Sequence, residues 1–140
     1  MAAENLNTVR STIEERLQSE FRKGRPITTV FSNTHFDASA IDTFIQCSVS
    51  FSTNNYLTQG STTSSTNFLS GLVLINVFTE EGIGSGKNFT ICKRIRDLYN
   101  RVTVSNVIFD SPIGPEILQS SIEGKFQTQI RVTFEIFEDL

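Results

Sequence analysis

Between positions 44 and 52 the side chains alternate without a break, with Ile45, Cys47, Val49 and Phe51 on one side and Gln46, Ser48, Ser50 and Ser52 on the other. Successive side chains of an extended chain point to opposite faces, so a period of two marks a strand with one dry face and one wet face. The last segment repeats the pattern, setting Phe126, Ile130, Val132, Phe134 and Ile136 against Gln127, Gln129, Arg131, Thr133 and Glu135. Between them, residues 69–78 (LSGLVLINVF) form an apolar, β-branched run of strand length, which reads as a central strand covered on both faces. A chain with three such segments has to build a sheet, and the dry face of that sheet has to be covered.

Two segments have the period to cover it. Leu6, Val9, Ile13, Leu17 and Phe21 recur at spacings of three and four, and Phe89, Ile91, Cys92, Ile95, Leu98 and Tyr99 form a second broad stripe. The first helix carries Arg10 with Glu14 and Arg16 with Glu20 four apart, spacings that suit weak surface ion pairs. Lys23-Gly24-Arg25-Pro26 stops it, and residues 27–31 read as a short strand. Residues 53–67 hold almost no apolar side chains apart from Tyr56 and Leu57 and read as a long connecting loop. Residues 102–109 read as a strand, 111–115 as a break at Pro112 and Pro115, and 117–122 as a shorter strand. A turn at Glu123-Gly124 then leads into an antiparallel hairpin with the closing segment. The expectation is one α+β domain over 1–140: a mixed, mostly antiparallel β-sheet with two α-helices packed on one face.

Composition narrows the function. The chain has 140 residues, 38% hydrophobic and 19% charged, enough apolar material for one core and too little net charge for a disordered tail. A net charge of -3 makes the surface as a whole repel nucleic acid unless a local basic patch intervenes. The opening MAAENLNTVR has no apolar run behind a basic flank, and no stretch approaches the roughly 18 apolar residues of a membrane span, so neither secretion nor a membrane partner is expected. Cys47 and Cys92 lie far apart, outside any metal-binding spacing, and read as reduced core residues. The sequon Asn88-Phe89-Thr90 reads as the start of the second helix.

Each candidate for chemistry has a plainer reading. The turn 82–87, with Gly82, Gly84, Gly86 and Lys87 between a strand and a helix, has the setting of a phosphate cradle. Its spacing fails, because Glu81 stands where a P-loop needs glycine and Asn88 where it needs Ser or Thr. The turn is then a flexible connection, with a small ligand-binding domain as the alternative function. His35, the sole histidine, lies between Asn33 and Asp37 without a nucleophile elbow and reads as a loop residue. Glu80 with Glu81 and Glu14 with Glu15 are sequence neighbours, which no regular structure aims at one atom. Lys93, Arg94, Arg96 and Arg101 gather toward the end of the second helix, where cations suit the macrodipole. The functional alternative is a basic strip facing an acidic partner or passing DNA. Most of the 12 phenylalanines fall on faces expected to be buried. No catalytic, cofactor-binding or metal-binding residue emerges, and an enzyme is not expected.

The order of elements resembles the tail terminator (tail-completion) proteins of long-tailed bacteriophages. Pro26-Ile27-Thr28-Thr29-Val30-Phe31-Ser32-Asn33-Thr34-His35-Phe36-Asp37 is similar to the extended opening of that family. Gly71-Leu72-Val73-Leu74-Ile75-Asn76-Val77-Phe78, followed by Gly82-Ile83-Gly84-Ser85-Gly86, is similar to its middle strand and small-residue turn, and the strand from Phe126 to Phe137 to its closing strand. The loop 53–67 and the break 112–115 are less typical of it. The resemblance implies a structural virion protein of the tail and neck, assembled in the host cytoplasm: a hexameric ring that sits on the tail tube, ends its growth and offers its other face to the head-tail connector. Its partners would be further copies of itself, the tail tube protein and the connector, with DNA in the lumen as a passive contact and no cofactor. Another neck component, such as a stopper, is the alternative within the same class. For the ring contacts, the polar strand face of Gln46, Ser48 and Ser50 and the stretch holding Asn54, Asn55, Tyr56, Leu57 and Gln59 are the expected interface.

Overall fold

The fold is that of a computed structural model, described for residues 5–32, 36–37, 41–56 and 66–139, with side chains described outside 53–56, 66–68 and 138–139. Helix α1 (Leu6–Glu20) begins at Asn5, whose side-chain oxygen accepts from the Asn7 amide at 2.8 Å and satisfies a donor that a helix start leaves free. Val9, Ile13, Leu17 and Phe21 are buried as their spacing predicts, while Leu6, at the open end, is exposed. The chain leaves the helix through Gly24, at a φ of +66° that a Cβ would disfavour, and enters strand β1 (Thr28–Phe31).

Three long strands form the frame: β2 (Phe44–Tyr56), β3 (Thr66–Glu80) and β7 (Lys125–Asp139). β3 and β7 pair without a register shift from Thr66↔Asp139 to Glu80↔Lys125, a ladder about 50 Å long at the usual rise per residue. β1 joins β2 in parallel, the one parallel pairing among the described strands. On the far side of β7 come β5 (Val107–Phe109), with β4 (Thr103–Val104) outside it, and then β6 (Ile113–Leu118) farther along the same strand. The result is an α+β fold with a mixed, mostly antiparallel sheet.

Both helices lie on one face. Helix α2 (Gly86–Tyr99) buries Asn88, Ile91, Cys92, Ile95 and Tyr99, which with α1 cover Ile45, Cys47, Val73, Ile75, Val77, Ile130, Val132, Phe134 and Ile136. The Tyr99 hydroxyl donates to the Ile13 carbonyl at 2.7 Å and Arg16 donates to the Leu98 carbonyl at 2.9 Å, locking the helices together. Glu20 pairs with Arg94 of α2 instead of the expected Arg16. Phe89, expected on the buried face, is exposed: residues 88, 91, 92, 95 and 99 form the inward stripe, and one residue off that stripe is a turn of about 100° toward solvent. Asn88 takes the inward place. Its amide nitrogen donates to the Val77 carbonyl at 3.1 Å, and its oxygen accepts from Thr128 and from Cys92. A polar group this deep needs all these partners.

Four further expectations change. The loop 53–67 is strand at both of its ends: β2 runs on to Tyr56 and β3 starts at Thr66, pairing Asn54↔Leu69 and Tyr56↔Asn67 after a bulge beyond Phe51, while residues 57–65 lie outside the described residues. Backbone hydrogen bonds to a neighbouring strand need no apolar side chains, so composition did not reveal them. Leu57 and Gln59 lie outside the described residues, as does His35. The central strand is fully covered on one face; on the other Phe78 is buried but Leu72, Leu74 and Asn76 are only half-buried. Strand 102–109 is a small hairpin, β4 and β5, turned at Ser105 and Asn106 with φ of 46° and 71°. The break at 111–115 is confined to Ser111 and Pro112: β6 begins at Ile113, its ladder shifting between Ile113 and Glu116 to admit Gly114 and Pro115 on an edge strand, and it ends at Leu118 instead of running on to 122.

Candidate functional site

The face of the sheet away from the helices is built from residues of the opposite parity to the core. At one end Phe44 and Phe78 stack at 4.6 Å and, with Val30, Phe36, Ile41 and Ile122, form a small second core. Beyond it the register places Gln46, Asn76 and Gln129 in one row, Ser48, Leu74 and Arg131 in the next, and Ser50, Leu72 and Thr133 in the third. Amides hold the first row: Asn76 Oδ1 accepts from Gln127 at 3.0 Å and Gln129 at 3.1 Å. Hydroxyls hold the outer rows, with Ser32 to Ser48 at 3.3 Å and Ser52 with Ser70 at 3.0 Å.

Gln46, Ser48 and Ser50 therefore share one surface. What the sequence reading missed is its aliphatic centre, Leu72 and Leu74, because an apolar run conceals which of its residues face outward. Beside this face lies an open edge. β1 pairs only with residues 44–47 of β2, so among the described residues the stretch from Ser48 to Tyr56, with Asn54 and Asn55, has no strand on its outer side. Unpaired backbone groups along such an edge are a template for another chain. On the opposite edge, β6 exposes Ile113 and Ile117, each about three-fifths accessible at 59% and 60%.

The four clustered cations disperse. Lys93 pairs with Asp97 at 2.7 Å, Arg94 lies over the Phe21 ring at 4.4 Å and reaches Glu20, Arg96 donates to the Gly114 carbonyl at 2.7 Å, and Arg101 is exposed with a φ of 54°. No continuous strip results. The glycine turn lines a groove of about 610 Å³ whose walls include Glu81 and Glu123, a poor setting for phosphate. Lys87 instead faces a separate cleft of about 770 Å³, shared with Lys23, Arg25 and Arg94.

Both thiols are buried. Burial, with a smaller push from Glu14, raises Cys47 to about 12, and burial also raises Cys92 against the opposing hydrogen bond from Thr128. A nucleophilic thiol requires the reverse shift. Tyr99 is likewise pushed well up by burial. Glu14 is buried against Arg10, while Glu15 and Glu81 are exposed, so neither neighbouring acid pair shares an environment. Among the described residues no three potential ligands converge on a metal position, and no helix is long and apolar enough to cross a membrane.

No family model and no curated protein matches the chain. A solved structure of a protein that carries no functional name is similar over 96% of each chain, with a TM-score of 0.71 at 12% identity. That likeness establishes the α+β fold alone.

Proposed function

We propose that this chain is a structural virion protein of the tail-terminator kind, which closes into a hexameric ring on the end of the tail tube, stops its growth and presents its other face to the head-tail connector. The observation that carries this reading is the one-sided sheet: about 50 Å of paired strand with both helices on one face, whose second face beyond the Phe44–Phe78 cluster carries no helix and whose outer β2 edge has no further strand among the described residues. Leu72 and Leu74 on that face, flanked by amides and hydroxyls, suit a partly polar subunit contact. A head-to-tail contact that closes on itself covers every such surface once per subunit, and closure itself limits copy number. The work is done by shape and association, with DNA in the lumen a passive neighbour.

Light scattering and native mass spectrometry, on the protein alone and mixed with tail tubes, test this reading. The expected result is a closed ring, alone or on the tube end. A particle that stays monomeric under both conditions overturns it. Capture by DNA-filled heads and not by isolated tubes would move the protein to the stopper position of the neck.

A further inference from the structure

The two clefts at one end of the long strands differ in charge: the groove along the glycine turn has Glu81 and Glu123 in its walls, and its neighbour is cationic. Where β2 begins and β3 finishes, the cleft of about 770 Å³ has Ile27, Ile41 and Ile91 in its walls, four cations around it and no carboxylate in its lining. Arg94 is committed to Glu20 and Phe21, and Lys23 reaches Glu20 at 3.4 Å. Arg25 and Lys87 have no acidic partner among the described residues. The Thr43 hydroxyl, buried in the same wall, also has no hydrogen-bond partner among them. Such a cleft is built for an anionic segment with some apolar character.

The opposite end supplies one. β7 finishes in Glu135-Ile136-Phe137-Glu138-Asp139, its backbone still paired with β3 at Thr66↔Asp139. Ile136 is fully buried in its own core, so a neighbour would meet the strand beyond it. The ladder holds this acidic end about 50 Å from the cleft of the same chain, out of its reach. We infer that the acidic end of β7 in one copy docks into the cationic cleft of the next. This rests on the ring reading and assigns its contact. One surface meets a different surface, so the contact is heterologous and propagates until the rotation closes. Charges at such a rim are screened beyond about 8 Å at physiological ionic strength, so association weakens with salt.

Charge reversal tests the contact. Arg25→Glu with Lys87→Glu reverses the cleft at two exposed positions, and Glu138→Lys with Asp139→Lys reverses the arm. Each pair should weaken self-association at least about tenfold, read by sedimentation, while circular dichroism and thermal midpoint stay unchanged. Carrying all four substitutions in one chain, or mixing the two reversed proteins in equal amounts, should restore assembly. If both reversed proteins form rings as the natural chain does, the contact is wrong and the ring reading survives. The contact is also wrong if only the cleft reversal weakens assembly, because the charge of the arm then has no part in it. If the natural chain never associates, with or without tail tubes, both readings fall.

Discussion

One sheet presents two surfaces made by the same strands, and they differ in almost every physical respect. The helix-covered face packs Val73, Ile75, Ile130, Val132 and Phe134 against two helices and excludes water. The open face sets Leu72 and Leu74, both half-buried, among serines, threonine and amides, with no helix packed over them among the described residues. Alternation makes this possible: each residue belongs to one face alone, so one strand carries stability on one side and a contact surface on the other. Stability and assembly are thus separable by parity, and substitutions can test that separation.

The largest expected effect is on the covered side. Phe134 touches Phe51 at 5.8 Å and Phe109 at 6.3 Å between ring centres, and its ring lies over Gly71. Phe134→Ala should cost about 3–5 kcal/mol in chemical denaturation. Asn88→Ala should cost about 1–3 kcal/mol, because the Val77 carbonyl and the Thr128 hydroxyl each lose a partner. The Cys47 thiol adds a pH dependence. Its folded pKa is raised, so the unfolded chain releases the proton first once the pH passes the ordinary thiol value of 9.0, and stability falls from there to about 12. The slope is at most about 1.4 kcal/mol per pH unit, and Cys47→Ala should lack this part of the alkaline loss.

The smallest effect on folding should come from the open side. Leu72→Ser and Leu74→Ser should each change monomer stability by less than about 1 kcal/mol while weakening self-association in light scattering. A loss as large as that of Phe134→Ala would mean that this face is covered within its own chain, and the contrast between the two surfaces would collapse.

How much of this was legible in the sequence depended on whether a signal was local. Residues 44–52 and 126–136 announced their strands and their buried sides, and the α1 stripe announced its helix. Elsewhere the signal was ambiguous or absent. Leu72 and Leu74 look like core because apolar neighbours erase the alternation that would assign a face. Ser105 and Asn106 turn a hairpin without the usual glycine, and Pro115 sits in a strand because that strand is an edge. Gln46, Ser48 and Ser50 could be assigned to one polar face in advance, whereas the cleft around Lys23, Arg25, Lys87 and Arg94 joins two segments that sequence spacing does not relate.

Periodicity alone determined that this chain makes a sheet with a dry side and two helices able to cover it, because side-chain direction in a helix or strand follows from backbone geometry. Only the tertiary structure decided which apolar residues lie uncovered, which strand edges lack a partner and which distant cations share a cleft. Those are properties of register and packing, set by the free energy of the whole fold rather than by any window of residues.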